Sequence, residues 1–453
     1  MRVVLISTYE LGRQPFGLAS PAAWLRELGA HVTCLDLSRE TLREDAVRAA
    51  ELIAFYVPMH TATRLAVALL PVISKLNPRT HLCFYGLYAP VNEDYLRRLG
   101  VRTILGGEFE EGLASLAARL GANGAIRAQT EPVLSLARQK FRVPDRRNFV
   151  SLEKYARLVM PGGETRTVGY TEASRGCKHL CRHCPIVPVY QGAFRIMDRE
   201  IVLADIRQQV AAGAQHISFG DPDFFNGIGH SIPLVEALHR EFPMLTYDAI
   251  IKVEHLLKHP DCLERLRETG CLFVTSAIES VDDPVLEKLD KHHTRADFLR
   301  VVELFRELGL VLQPTFVPFT PWTTQESYCD LLEVIRAQDL IENVAPIQLA
   351  IRLLIPGGSR LLELDEIRET VGPFDEAALV YPWKNADAGV DRLCEELQQI
   401  VHAGEKMNRS RDEIFERIEE ATDGKCSNGS WKGALPILAA RAAIPYLNEP
   451  WYC

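Results

Sequence analysis

Short apolar runs separated by amphipathic stretches recur through the first hundred residues and again from about residue 166. The chain opens Met-Arg-Val-Val-Leu-Ile-Ser, a β-branched run of the kind that forms a strand buried on both faces. Helical spacing follows over residues 19–29, and further strands are predicted at 31–37, 52–57, 80–85 and 102–105. This alternation over residues 1–125 predicts an α/β unit, an open doubly wound, Rossmann-like sheet. No G-x-G-x-x-G follows the first strand, which argues against a dinucleotide ligand. Residues 126–165 are punctuated by proline and read as a linker. Their basic run, 138–147, reads as a solvated face. From residue 166 the alternation resumes, with strands predicted at 167–173, 215–220, 245–251, 272–278, 311–317 and 347–354. Helical stretches such as 199–212, 297–308 and 324–338 lie between them. Six βα units over residues 166–360 predict a partial (βα)6 barrel, whose chemistry belongs at the carboxyl ends of the strands. Residues 361–453 are predicted to be a helical C-terminal region, with amphipathic segments at 391–401 and 411–421, and a tail rich in Gly, Pro and aromatics.

Composition narrows the function classes. The 453 residues are 47% apolar and 25% charged, as in an ordinary globular protein of two or three domains. Net charge is -9, with no long basic run, so nucleic acid is not an expected partner. No apolar stretch reaches the length of a membrane span, so no membrane partner is expected. The chain opens without the charged n-region and apolar h-region of a secretion signal, so a cytoplasmic location is expected.

Of eleven cysteines, three cluster in sequence: Cys177-Lys-His-Leu-Cys181-Arg-His-Cys184. Cysteines so spaced in a cytosolic enzyme point to metal binding rather than to a disulfide. Three thiolates can hold three corners of a [4Fe-4S] cluster, leaving one iron open to a substrate. The alternative is a structural zinc site that adds His179 or His183, although no second C-x-x-C supplies the usual partner pair.

C-x-x-x-C-x-x-C just after a first barrel strand resembles the signature of radical S-adenosylmethionine (SAM) enzymes. The resemblance implies Cys177, Cys181 and Cys184 as cluster ligands and SAM as the substrate of the open iron. A one-electron reductant such as flavodoxin or ferredoxin is implied as a partner. By the same resemblance, Phe219-Gly-Asp-Pro-Asp-Phe-Phe225 approaches the SAM amino group, with Asp221 and Asp223 as the candidate carboxylates. Glu279 and Ser280 end the fourth strand, where the family places a pair near the ribose or methionine part. His183 stands where many members carry an aromatic that shields the cluster or stacks near adenine, with Tyr190 and Arg195 as weaker candidates. Arg352 lies in an apolar strand, where an unpaired charge is costly. It is therefore expected to meet a carboxylate, either that of SAM or one of the protein's own.

The N-terminal unit resembles the cobalamin-binding-like domain that precedes many such barrels, and Gly106-Gly-Glu-Phe-Glu-Glu-Gly112 is similar to the G-E-x-E turn found there. The D-x-H-x-x-G cobalt motif is absent from the loop after the first strand. His60 follows the third strand instead, where a hydrogen-bonding role is the commoner one. Cobalamin is therefore not expected, although histidine-free binding stays open. The tail Asn448-Glu-Pro-Trp-Tyr-Cys453 resembles a radical SAM subfamily named for a Cys-Cys-Ala-Glu-Pro or Cys-selenocysteine-Ala-Glu-Pro ending. Tyr446 and Leu447 replace its vicinal dyad, and Cys426 and Cys453 remain as candidate substrate thiols. The activity associated with proteins of this look belongs to arsinothricin-type antibiotic biosynthesis. There the 3-amino-3-carboxypropyl group of SAM moves to trivalent arsenic, and arsenite, a soft thiophile, would suit the spare thiols. Two readings stand beside it. One is hydrogen abstraction from a small metabolite by a 5′-deoxyadenosyl radical, with or without cobalamin. The other is a non-catalytic zinc- or cluster-binding protein.

Overall fold

The structure, a computed structural model, describes residues 1–122, 131–422 and 442–449. Six strands form the first sheet: β1 (Arg2–Ser7), β2 (His31–Asp36), β3 (Leu52–Tyr56), β4 (His81–Tyr85), β5 (Thr103–Gly107) and β6 (Leu134–Ser135). They lie in the order β2-β1-β3-β4-β5-β6, all parallel. Alternate residues of β1 feed opposite faces. Val4 and Ile6 pack into one core and Val3 and Leu5 into the other, as a doubly covered sheet requires. The strand order reverses at β1, and such a switch point opens a crevice at the carboxyl ends of the strands.

The second sheet contains β7 (Arg157–Val159), β8 (Thr165–Thr171), β11 (His216–Phe219), β12 (Thr246–Ile250), β13 (Cys271–Glu279), β14 (Val311–Phe316) and β15 (Tyr446–Leu447). A separate ribbon is made by β9 (Ser174–Gly176) and β10 (Phe194–Ile196). Strands β8 and β11–β14 are parallel neighbours, and β7 and β15 continue the sheet antiparallel beyond β8. Helices such as Arg199–Ala211, Ile228–Glu241 and Arg295–Leu308 cover this sheet and bury the main apolar cluster against it. The α/β class, the doubly wound first unit, the partial barrel and the helical region containing Ala388–Lys406 and Arg411–Ala421 are thus all present.

Two features depart from the pattern read along the chain. The sixth barrel strand predicted at 347–354 is reduced to one bridge between Phe319 and Arg352. Pro346 opens a 3₁₀ turn through Leu349, and a proline supplies no amide for a ladder. The stretch read as a linker is instead shared out: β6 joins the first sheet and β7 the second. The described part of the tail spans the open side of the barrel. Pro445 accepts a hydrogen bond from Gln313 of β14 at 2.7 Å, and Tyr446 pairs with Val159 of β7 beneath the guanidinium of Arg411.

Arg146, within the supposed linker, ties the units together. Its guanidinium meets both oxygens of Asp205 at 2.6 and 2.8 Å, the carbonyl of Tyr170 at 2.7 Å and Oε1 of Gln14 at 2.8 Å. Asp205 is fully buried and also accepts from Thr171 Oγ1 and Gln209 Nε2. Removing the cation leaves a buried carboxylate uncompensated, which costs about 3–5 kcal/mol. Arg146→Met is therefore expected to lower the unfolding free energy from urea titration by that amount, and with it the midpoint. Arg146→Met/Asp205→Asn should recover much of the loss, and an unchanged midpoint in the single variant would contradict this role.

Candidate active site

The cysteine loop leaves the carboxyl end of β8 and is pinned at its base. The β9/β10 ribbon pairs Gly176 with Phe194, so residues 177–193 form a closed excursion. Gly176 has φ +73°, and a Cβ there would stand 2.4 Å from the carbonyl of Ala193 and 2.5 Å from the ring of Tyr190. Only glycine tolerates both conditions. Asp221 fixes the loop's root, accepting from the amide of Ala173 at 2.9 Å and from Ser174 Oγ at 2.5 Å. Burial pushes its carboxyl up to about 7. Asp221 is thus committed to the loop rather than presented to a ligand.

Cys177 and Cys184 are partly buried and Cys181 is buried, and all three are free thiols. Burial, with their mutual repulsion, raises Cys177 and pushes Cys184 up to about 12. Buried thiols crowded in this way ionise when a cation takes them as ligands. Three such donors, with no fourth cysteine in the loop, fit three corners of a [4Fe-4S] cluster.

Two histidines in the loop have separate surroundings. His179 lies 3.4 Å from Asp223, which is also 2.7 Å from His255 and caps a short turn through the amide of Phe225. Lys252 Nζ contacts the other face of His179 at 3.1 Å. The donor atoms of Cys177, His179 and Asp223 lie within 4.8 Å of one another. The zinc alternative therefore gathers a different ligand set from the three cysteines plus a histidine. His183 turns instead to Glu279, Nε2 to Oε1 at 3.1 Å, with Lys291 Nζ 3.3 Å from the same oxygen. Burial opposes ionisation of Glu279, but Lys291 and His183 outweigh it and hold the carboxyl down at about 2. Glu279 also has φ +69°, at a register irregularity between β13 and β14, and strained backbone of this kind concentrates at functional sites.

The remaining sequence candidates are placed elsewhere. Ser280 Oγ accepts from the amide of Asp282. Arg352 donates to Asp391 at 2.7 Å and to the carbonyl of Trp383 at 2.7 Å, with its guanidinium 3.6 Å above the Trp383 ring. It satisfies the protein's own carboxylate, so its assignment to SAM is corrected to an ion pair. His60 bonds the carbonyl of Ala378, the hydrogen-bonding role expected of it. Tyr190 donates to Glu108, and Arg195 donates to the carbonyls of Phe194 and Leu136. Cys426 and Cys453 lie outside the described residues.

Sequence reasoning missed Arg175, two residues before Cys177. Its Nε donates to Glu172 at 2.6 Å, Nη1 donates to Glu110 Oε2 at 2.9 Å, and Nη2 lies 2.7 Å from Glu110 Oε1. Glu108 stands 3.9 Å away and receives the hydroxyl of Tyr190. The guanidinium also lies against the rings of Phe16, Phe109 and Phe141. Glu108 and Glu110 come from the G-E-x-E turn of the first unit, so one buried cation joins that unit to the root of the cysteine loop. Burial and crowding raise Glu108 to about 7. Arg175 and its hydrogen bonds overcome burial at Glu110 and hold it below its ordinary value. The available signal was two near-adjacent glutamates after an apolar strand and an arginine at the entrance to the loop.

Between the two units is a chamber of about 190 Å³. It is bounded by the loops after β1, β3, β4 and β5 on one side and by the loops after β8 and β11, with the cysteine loop, on the other. Glu10, Arg13, Tyr56, Tyr170, Glu172 and Arg175 line it. It is smaller than the roughly 300–1,000 Å³ that pockets for drug-sized ligands occupy.

Alanine at Cys177, Cys181 or Cys184 is expected to abolish the charge-transfer absorbance of the reconstituted cluster. Arg175→Met should lower cluster retention severalfold with all three cysteines intact, and Arg175→Lys should recover part of it. Full cluster loading of Arg175→Met would contradict the clamp.

Residues 171–335 match the Radical SAM superfamily profile. The chain is 28% identical over 200 residues to the ribosomal protein uS12 methylthiotransferase RimO of Geobacter sulfurreducens, covering 42% of this chain and 43% of that one. It therefore spans less than half the length of the curated relatives it matches. Among solved structures, the cobalamin-dependent SAM radical enzyme OxsB with aqua-cobalamin bound superposes with TM-score 0.69 at 15% identity, covering 93% of this chain and 71% of that chain. The radical SAM methyltransferase TsrM of Kitasatospora setae, with cobalamin and a [4Fe-4S] cluster bound, superposes with TM-score 0.57 at 18% identity, covering 75% and 73%. Both neighbours bind cobalamin, so these likenesses give no support to setting cobalamin aside. The expectation that cobalamin is absent is therefore not borne out. Residues 171–335, which hold the three-cysteine loop and the barrel strands, thus form a domain of the radical SAM type.

Proposed function

We propose that the chain reductively cleaves SAM and transfers its 3-amino-3-carboxypropyl group to a small acceptor held in the chamber between the two units, trivalent arsenic being that acceptor. The observation that carries the reading is the chamber itself, about 190 Å³ in volume and bordered by the cysteine loop. A space of that size suits a molecule of few atoms and disfavours a nucleic acid or a protein side chain as substrate. The tail resemblance supports arsenic as the acceptor.

Cys177, Cys181 and Cys184 would hold the cluster, which would pass on from the external reductant one electron to break the C–S bond of SAM, releasing 5′-methylthioadenosine, and a second to restore arsenic to the trivalent state with loss of hydroxide once the new C–As bond has formed. The protein's own groups do the rest. Arg175 and Asp221 hold the loop in register with the chamber. Asp223 and Glu279 flank the loop at His179 and His183, each compensated by basic side chains, and stand as the groups that orient the SAM amino group and ribose. A flavodoxin or ferredoxin in the cytoplasm is the proposed reductant. No helix among the described residues is long and apolar enough to cross a membrane.

The test is anaerobic turnover of the reconstituted protein with SAM, a reductant and arsenite, followed by mass spectrometry of the nucleoside. The expected result is 5′-methylthioadenosine in step with an arsenic-bearing amino acid. Finding 5′-deoxyadenosine with arsenite unchanged would overturn the transfer and leave hydrogen abstraction in its place.

A further inference from the structure

Glu10 follows β1 on the carboxyl edge of the first sheet and lines the chamber opposite the cysteine loop. It is 6% exposed, and its Oε2 is sealed from solvent with no hydrogen-bond partner among the described residues. Arg13 stands three residues on in the same turn, where its amide donates to the carbonyl of Glu10 at 2.9 Å. Its Nε is likewise sealed and unpartnered, and its guanidinium lies 4.8 Å over the Tyr170 ring. A buried donor or acceptor left unmet costs on the order of 1–3 kcal/mol. Both residues line one cavity, so a guest there that reached these atoms with both functions would offset that cost.

The charges around the cavity select among ligands. Glu10 and Glu172 line it with Arg13 and Arg175. Arg175 is already met by Glu110 and Glu172, with Glu108 close by. An anion would face two carboxylates for the gain of Arg13 alone. A cation would be drawn to Glu10 but held beside the guanidinium of Arg13. An uncharged hydroxyl group answers both residues, donating to Glu10 Oε2 and accepting from Arg13 Nε. Burial, reinforced by Glu172, raises the Glu10 carboxyl above its ordinary range, so a neutral guest adds no charge to a site that already disfavours charge.

We infer that Glu10 and Arg13 form an acceptor subsite for a small, uncharged, hydroxyl-bearing molecule, poised across the chamber from the cysteine loop. This rests on the reading of the chamber as the acceptor site and adds the chemical class of its occupant and the residues that select it. Arsenous acid, uncharged and hydroxylated at neutral pH, belongs to that class; phosphate and amines do not.

The test uses cluster-loaded protein without SAM, and probes that do not react with thiols: boric acid as the neutral hydroxylated molecule, inorganic phosphate as the anion and methylammonium as the cation. Dissociation constants are measured by calorimetry for wild type, Glu10→Leu, Glu10→Gln and Arg13→Met. Boric acid is expected to bind wild type at least tenfold more tightly than phosphate or methylammonium. Glu10→Leu and Arg13→Met should each weaken it at least tenfold with cluster absorbance unchanged. Glu10→Gln, which keeps an acceptor oxygen, should retain most of the affinity. Equal boric acid affinity in wild type and Glu10→Leu, or tighter Glu10-dependent binding of either ion, overturns the subsite. Because no turnover is read, absence of the arsenic product with Glu10-dependent boric acid binding would sink the arsenic acceptor and leave this inference standing.

Discussion

The arrangement depends on one buried cation. Arg175 lies between the first unit's carboxylates, Glu108 and Glu110, and Glu172 at the end of the barrel's first strand, with three phenylalanine rings around it. In so dry a setting each charge is costly alone and is retained only by the others. Because Arg175 also belongs to the ribbon that pins the cysteine loop, the position of Cys177 is set by how the two units meet. Gln139, from the stretch between the units, donates to both Glu108 and Glu110 and so joins the connection to the same cluster.

This constraint accounts for the chamber. The first sheet's switch-point crevice and the barrel's mouth face each other, and the clamp holds them close enough to enclose a cavity of about 190 Å³. The solved structures that share this architecture carry cobalamin, whereas here Tyr56, Phe109, Tyr170 and Tyr190 occupy the boundary between the units.

Much of this was legible in the sequence. Both sheets follow from apolar runs of strand length, and the cysteine spacing marks the loop that brings Cys177, Cys181 and Cys184 together. The sixth barrel strand was misread because 347–354 is apolar, while Pro346 opens a 3₁₀ turn through Leu349 and leaves only the Phe319–Arg352 bridge of the ladder. Arg352 was correctly expected to meet a carboxylate, but the partner is 39 residues away on a helix and invisible to local pattern. Arg175, Glu10 and Arg13 were missed for the same reason. Each is an ordinary charged residue in a loop until the two units are brought together, and only the folded chain shows which charges are buried and which buried atoms lack a partner.

The central claim is that Cys177, Cys181 and Cys184 hold a cluster whose fourth iron takes SAM. Electron–nuclear double resonance of the reduced, cluster-loaded protein with SAM labelled at the amino nitrogen and the carboxylate carbon tests it most directly. The account predicts hyperfine couplings from both labels, showing chelation of one iron by SAM. A reduced cluster whose spectrum is unchanged by labelled SAM would contradict it.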